Sequence, residues 1–317
     1  MLKDKKRFIA GLASFAFLLI FATGCGTRYS VLNPQGPVAW SEYKLIIWSL
    51  VVMSIAVLVV LVLYTYIVVR YREKPENMNY EPPETKSSKT LEIIWTAAPI
   101  VMVMALAIPM ARTTFSLENP PPHPANTSPM TIYVTSADWK WIFKYPGQNI
   151  ETVNYVHIPV NTPIKFELTS ATSMNSFWVP TLGGQEYSMP GQRLRLWLQA
   201  DKPGTYGGRG ANFTGRGFAH MFFDVVAQPP ADFASWVQTV KNTAPKLTDE
   251  GYQKLLIPGL VPKMTFSSMD HRPLEQEAVL SPAPGDQGQS NSSSKQNMPY
   301  MPNMSNMPKM HDTTHHP

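Results

Sequence analysis

Leu45-Ile-Ile-Trp-Ser-Leu-Val-Val-Met-Ser-Ile-Ala-Val-Leu-Val-Val-Leu-Val-Leu-Tyr-Thr-Tyr-Ile-Val-Val69 runs for 25 residues without a charge. At about 1.5 Å per residue, a helix of that length crosses a ~30 Å hydrocarbon core with length to spare. A second apolar run, Ile93 to Ala111, is shorter and carries Pro99 and Pro109. Membrane helices tolerate proline because neighbouring groups satisfy the carbonyls it frees. Between the runs lie Arg70, Arg72, Lys74, Lys86 and Lys89. The positive-inside rule makes that loop cytoplasmic, so everything after Arg112 faces outward. Trp40, Trp48 and Trp95, near the span ends, suit interfacial anchors or contacts with a neighbouring helix.

Working toward the N-terminus, a basic start (Lys3, Lys5, Lys6, Arg7) precedes an apolar stretch, Phe8 to Ala22, too short for a comfortable span. Small residues follow, ending at Cys25. This is the anatomy of an export signal. It resembles a bacterial lipoprotein signal, cut before a cysteine that then carries lipid, with Ala22 where leucine is usual. Lipidation at Cys25 puts that end outside, in agreement with the loop charges. Cys25 is the only cysteine, which excludes an intramolecular disulfide and any site needing two thiolates. Net charge is +5 without a long basic run, so the charge reads as membrane topology rather than a nucleic-acid footprint.

Beyond a proline-rich stretch, Asn119 to Pro124, the pattern turns to strands: Met130–Thr135, Asn154–Val160, Ile164–Thr169, Arg193–Leu198 and Phe218–Ala227. Pro-Gly, Gly-Gly and Asn-Thr-Pro turns separate them. Short strands at this spacing over about 100 residues predict a β-sandwich or barrel. Ala231–Lys241 and Thr248–Leu256 read as helices, with Asp232 and Thr248-Asp249-Glu250 as start signals. From Ser281 the composition is that of a disordered tail. The expected division is a signal at 1–24, an outer segment at 25–42, a span at 43–70, a cytoplasmic loop at 71–90, a second span at 91–112 and a linker at 113–128. A β domain follows at 129–228, then a helical extension at 229–280 and a tail at 281–317.

Thr90-Leu-Glu-Ile-Ile-Trp-Thr-Ala-Ala-Pro99 is similar to the start of the second membrane helix in subunit II of haem-copper oxidases. Asp138-Trp-Lys-Trp-Ile-Phe-Lys-Tyr-Pro146 resembles that family's aromatic segment. Ser173–Gly191 and Gly204–Asp224 resemble the two loops that hold a dinuclear copper centre in the cytochrome c oxidases. The resemblance implies a two-helix membrane hairpin carrying an outward cupredoxin-like β-sandwich. Position by position, it sets Asn175 where the family has a ligand His. It sets Gly210 and Thr214 at the two Cys positions, Asn212 at the Glu position, Phe218 at the second His position, and Met221 at the Met position. Only the Met is kept. His220 lies two residues away, on the same face if that stretch is a strand. Soft thiolates bridge and stabilise such a centre, and none is present here.

The resemblance therefore points to the copper-less branch that oxidises quinol, above all the menaquinol-using enzymes of Gram-positive bacteria. It implies a proton-pumping complex that reduces oxygen to water. Haem and the remaining copper would sit in subunit I, and this chain, not itself catalytic, would bind no cofactor. Its partners would be subunit I, small membrane subunits, membrane quinol and the bilayer, with no nucleic acid. Glu92 would lie at the mouth of a proton-uptake path, since an acid at a span edge is costly unless it is wet or paired. Trp139 and Trp141, without copper to relay to, read as packing residues, and His157 as a satisfied structural histidine. Arg193, Arg195, Arg209 and Arg216 read as a solvated face or interface ion pairs. The tail places Met298, Met301, Met304, Met307 and Met310 at intervals of three, ahead of His311, His315 and His316. In an extended chain with about three residues per turn, these thioethers share one side, a set suited to Cu(I). The competing reading is a membrane lipoprotein that handles copper, or assembles an oxidase, through that tail.

Overall fold

The computed structural model describes residues 30–72, 88–125 and 127–268. The signal, Cys25, most of the basic loop and the Met-rich tail lie outside the described residues.

Two long helices come first. The first, α1 (Pro37–Tyr71), has 35 residues, and α2 (Lys89–Leu117) has 29. Mean hydropathy over the best window is 3.1 in α1 and 2.1 in α2. Both are long and apolar enough to span a bilayer, and their side chains are almost wholly exposed within the chain.

Each helix runs past its expected outer limit, 43 for α1 and 112 for α2. Pro37 suits a first helical position, because the N–H it lacks would be unpaired there anyway. Ala39 N–H donates to the Leu182 carbonyl (3.2 Å), and Gln35 N–H to that of Thr181 (2.8 Å). The first turn of α1 is thus docked on the outer domain, with Val38 and Ala39 buried. The fit is close: a Cβ on Gly36 would lie 1.9 Å from the Gln199 carbonyl oxygen, and one on Gly183 2.8 Å from Val38. At the other end α2 meets no breaker until Pro120, and the hydroxyls of Thr114 and Ser116 bond back to the carbonyls of Met110 and Thr113.

The two spans meet through a polar contact that proline creates. Pro109 has no N–H, so the Ala105 carbonyl four residues earlier loses its helical donor. Trp48 Nε1 donates to that carbonyl across the helix pair at 2.9 Å.

The outer domain is two sheets face to face. The first joins β1 (Met130–Ala137), β2 (Lys140–Tyr145), β3 (Ile150–Val153), β5 (Ile164–Ser170), β8 (Leu194–Leu198) and β11 (Met264–Phe266) in the order β11-β3-β2-β1-β5-β8. The second joins β4 (Tyr155–Pro159), β6 (Asn175–Trp178), β7 (Gln185–Ser188), β9 (Gly204–Gly210) and β10 (Phe222–Gln228) in the order β4-β10-β9-β6-β7. Pairing is antiparallel except β1 with β5 and β10 with β4. Alternation in β5 buries Ile164, Phe166 and Leu168 and leaves Lys165 and Glu167 half-buried, where they pair at 2.7 Å. Between the sheets Trp141, Phe143, Phe177 and Phe223 form an aromatic core, with Phe177 stacked on Phe223 at 4.7 Å.

The stretch 229–280, expected to be helical, corrects in one respect. It supplies α3 (Pro230–Thr243) and α4 (Asp249–Leu256), but also the edge strand β11, paired with β3. With these elements the chain covers the outside of the first sheet. Ile142, Val153, Leu247, Tyr252, Leu255 and Phe266 make a second apolar core there. Strand β2 is consequently buried on both faces. Trp141, Phe143 and Tyr145 enter the main core, while Lys140 and Lys144 lie on the other side. Lys140 Nζ donates to the Ile257 carbonyl at 2.6 Å, and Lys144 Nζ sits 4.1 Å from the centroid of the Tyr252 ring. Lys144 also lies opposite Glu151 in the β2–β3 register.

Candidate functional site

Strands β6 and β9 bring the six singled-out positions to one end of the sandwich. The pairing Phe177↔Gly210 extends naturally to Asn175 opposite Asn212. Ala211 N–H donates to the Ser176 carbonyl (2.9 Å), and Asn212 Nδ2 to that of Met174 (2.9 Å). Gly210 N–H donates to the Met221 carbonyl at 3.0 Å. A Cβ on Gly210 would lie 3.5 Å from Met221 Sδ and 3.8 Å from the Phe218 ring. Gly210, Phe218 and Met221 are therefore neighbours, with Met221 buried and Phe218 partly so.

The segment after β9 differs from the sequence expectation of one strand over 218–227. Phe218–His220 is a 3-10 turn, and β10 begins at Phe222. His220 is exposed on that turn, not carried on a strand face. The cause is local. Gly215 takes φ +108°, a left-handed conformation that suits glycine. A Cβ on Gly217 would lie 2.2 Å from the Trp139 ring. The glycine-rich loop wraps that indole, whose Nε1 donates to the Thr214 carbonyl at 2.8 Å. Trp139 and Trp141 are thus packing residues by their contacts.

Asn175 belongs to a buried polar network that the sequence did not reveal. Its Nδ2 donates to Ser136 Oγ (3.0 Å) and to the Ser173 carbonyl (2.9 Å). Ser136 Oγ meets Ser188 Oγ at 2.9 Å. Asp138 caps the same end, its carboxylate accepting from Thr172 Oγ1 (2.9 Å) and Ser173 Oγ (2.6 Å). Serines and an asparagine separated by tens of residues give no local signal; only strand pairing assembles them.

The donor chemistry can be set against a dinuclear copper centre. The six positions offer two amides, one hydroxyl, one thioether, a glycine and a phenyl ring. Thiolate and imidazole, the ligands that would bridge and bind such copper, are not among them, and the residues do not fit that group.

The remaining singled-out residues lie elsewhere. Glu92 occupies the first turn of α2, beneath its N-cap Ser88, where a carboxylate complements the helix dipole. It is exposed and far in sequence from the six positions. His157 stacks on Trp236 with ring centroids 4.1 Å apart, and its Nδ1 meets Gln228 Oε1 at 2.9 Å. Burial lowers its pKa, with the Gln228 hydrogen bond opposing. Arg193 reaches Glu167 at 3.4 Å and lies over Tyr133, Arg209 lies over Trp178, and Arg195 and Arg216 are exposed. Cys25, Met298, Met301, Met304, Met307 and Met310 lie outside the described residues.

Comparison with known proteins gives a consistent picture. Residues 41–112 match the family model for the transmembrane domain of cytochrome c oxidase subunit II, and residues 144–229 that for its periplasmic domain. Quinol oxidase subunit 2 of Bacillus cereus is 53% identical over 251 residues, covering 79% of this chain and 86% of the relative. Quinol oxidase subunit 2 of Bacillus subtilis is 48% identical over 252 residues, covering 79% and 78%. Among solved structures, the periplasmic domain of subunit II of cytochrome oxidase from Bradyrhizobium japonicum aligns at 27% identity and a TM-score of 0.35, over 36% of this chain and 94% of that one.

Proposed function

This chain belongs to the quinol oxidase subunit 2 family, within the wider cytochrome c oxidase subunit II family, and from that premise we propose that it is the copper-less second subunit of a proton-pumping haem-copper quinol oxidase. It is a membrane protein with two spans and an extracytoplasmic cupredoxin-like domain. In the proposed role it carries no redox centre. Electrons pass from quinol to haem and copper in subunit I, and this subunit braces the complex and caps its outer face. Cys25 carries a lipid anchor, and Glu92 guides protons toward subunit I from the cytoplasmic side.

One observation carries the reading. The chain has a single thiol, before the first span, while the six positions at the tip of the sandwich hold Asn175, Gly210, Asn212, Thr214, Phe218 and Met221. A subunit that receives electrons from a soluble haem protein through two coppers needs ligands that this set lacks. The buried Ser136–Asn175–Ser188 network supports the same reading, because at the position of a ligand imidazole the chain carries an amide whose Nδ2 donates to Ser136 Oγ and to the Ser173 carbonyl.

The test is the purified complex. It should oxidise a quinol with oxygen uptake, fail to oxidise cytochrome c, and carry no copper attributable to this subunit. Two coppers in the isolated subunit, or turnover with cytochrome c, would overturn the proposal. A second reading rests on the five methionines at intervals of three: the tail captures Cu(I). Titration of Cu(I) into the tail peptide, against a version with the methionines changed to leucine, decides it, and equal affinity rejects it.

A further inference from the structure

Where the outer ends of the two spans meet the sandwich, the chain leaves a cleft of about 300 Å³. Its walls come from four elements. Glu42 projects from α1, Leu117 and Glu118 from the end of α2, Glu186 from β7, and Arg195 and Trp197 from β8. The volume is at the lower end of the range for small-ligand sites, about 300–1,000 Å³.

Its depth is fixed by the sequence. Glu42 lies just before the uncharged run that starts at Leu45, and Glu118 just beyond Arg112, where the second span has ended. The cleft therefore opens at the level of the outer phospholipid headgroups, with Trp197 in its wall. Trp at this level is the usual interfacial residue.

The charge of the cleft is unbalanced. It holds three carboxylates against one guanidinium, and among the described residues none of the four groups has an ion-pair partner. Glu42 is held in place: Gly184 N–H donates to its Oε1 at 2.8 Å, and a Cβ on Gly184 would stand 2.7 Å from that oxygen. Glu186 Oε1 accepts from the Tyr187 N–H at 2.7 Å, and burial pushes its carboxyl above the usual carboxylate range. Half-buried like charges of this kind call for a cation. A metal ion is the wrong shape for them, since among the described residues no three His, Cys, Asp or Glu side chains converge as a metal ion requires. A larger polyatomic cation can span separated carboxylates, and Arg195 adds an anion position beside them.

We propose that this cleft holds the headgroup of an amine-bearing zwitterionic phospholipid of the outer leaflet, with its ammonium against Glu42 and Glu186 and its phosphate against Arg195. The ammonium offers three donors to the carboxylates, the guanidinium suits a phosphate, and Trp197 in the wall suits the interfacial level of the glycerol. The site would fix the angle between the hairpin and the outer domain by tying both to the lipid surface.

The test uses the intact oxidase complex in nanodiscs of phosphatidylethanolamine mixed with phosphatidylglycerol, with retained lipid counted by native mass spectrometry. The complex should retain phosphatidylethanolamine over phosphatidylglycerol. The double variant Glu42→Gln/Glu186→Gln should lose at least tenfold of that preference. Gly184→Ala, which keeps every charge but displaces Glu42, should weaken it in the same direction. Glu250→Gln, on the exposed Lys254 pair of α4 (2.7 Å), should leave it unchanged, and the haem spectrum of each variant shows whether the complex has assembled. Unchanged retention in the assembled double variant, a preference for phosphatidylglycerol, or loss of the lipid to calcium alone would each overturn the proposal. Displacement by millimolar free phosphoethanolamine would do so as well, because it would mean that the membrane is not the source of the ligand.

Discussion

Replacing Trp48 by Phe should loosen the membrane hairpin, and the reason lies in Pro109. Phenylalanine keeps most of the ring surface and removes only the Nε1–H that reaches the Ala105 carbonyl at 2.9 Å. That carbonyl has no helical donor, because the residue four positions on is proline. Interhelical hydrogen bonds in membranes contribute about 0.6 kcal/mol on average and up to about 2 kcal/mol, which corresponds to about a 3- to 30-fold change in equilibrium. The expected loss for Trp48→Phe lies in the upper half of that range, since the orphaned carbonyl faces lipid or a helix rather than water. The second half of the cycle is Pro109→Ala, which returns an N–H to the Ala105 carbonyl within α2. In that background Trp48→Phe should cost close to nothing. The full-length chain in bicelles can be titrated with SDS while a fluorophore pair at the cytoplasmic ends of α1 and α2 reports their separation. Equal losses for Trp48→Phe with and without Pro109 would refute the reasoning, because the tryptophan would then be acting through its ring alone.

Lys140→Met should destabilise the outer domain by about 1.5–3 kcal/mol, the range for hydrogen bonds to a charged group, as the Ile257 carbonyl loses its donor at 2.6 Å; chemical denaturation read by near-UV circular dichroism measures it, together with faster proteolysis around residue 257. Gly217→Ala should cost about 1–3 kcal/mol by overpacking and push Trp139 into solvent, since the new Cβ would lie 2.2 Å from its ring, whereas Gly147→Ala has nothing within 4 Å to meet; thermal midpoints and tryptophan quenching compare the two. Acidification supplies a further test through His157, whose pKa burial holds below the ordinary 6.5. The unfolded chain then takes up the proton first as pH falls. Stability from this group is full above 6.5 and is lost as pH falls through the folded value, and His157→Gln should flatten that part of the profile of thermal midpoint against pH.

The parts of this fold that the sequence made legible are those whose pattern is local. A span needs only length and lack of charge, and α1 and α2 met that criterion. β5 buries Ile164, Phe166 and Leu168 on one face and alternates accordingly. What stayed hidden depends on contacts distant in the chain. β2 alternates Trp141, Phe143 and Tyr145 with Lys140, Ile142 and Lys144, the pattern of a strand with one wet face; that its lysine face is buried too follows only once α4 and β11 lie over it. β9, Gly204-Thr-Tyr-Gly-Gly-Arg-Gly210, has hardly any side chains to read, and its glycines answer to neighbours: a Cβ on Gly208 would lie 2.1 Å from the Phe223 ring. In the candidate site, the six positions could be named from the resemblance to the subunit II family, but not the Ser136–Asn175–Ser188 network, whose members come from three strands. The outer overrun of α1 was equally invisible, since its cause is a pair of carbonyls at Thr181 and Leu182.

The C-terminal extension changes what kind of object the outer domain is. A sandwich whose first sheet was open to solvent would expose Ile142 and Val153, and would leave Lys140 and Lys144 to water. Here α4 and β11 close that face, and the 257–261 turn is sewn to the aromatic segment: Gly259 N–H donates to the Asp138 carbonyl (2.6 Å), Lys140 to Ile257, and Asn154 Nδ2 to the Val261 carbonyl (2.8 Å). The same segment carries Trp139, which is clasped by Gly215 and Gly217. Residues 138–141 therefore link the extension to the tip of the sandwich through a continuous set of contacts. The loops at this tip are held by the chain's own residues: the loop after β9 grips the Trp139 indole, and the extension grips Lys140. Removing residues 257–268 should accordingly disturb the loop around Trp139, seen as a change in tryptophan emission, even though the deleted residues lie on the opposite face of the first sheet. Emission identical to that of the full chain would show that the loop holds its form unaided.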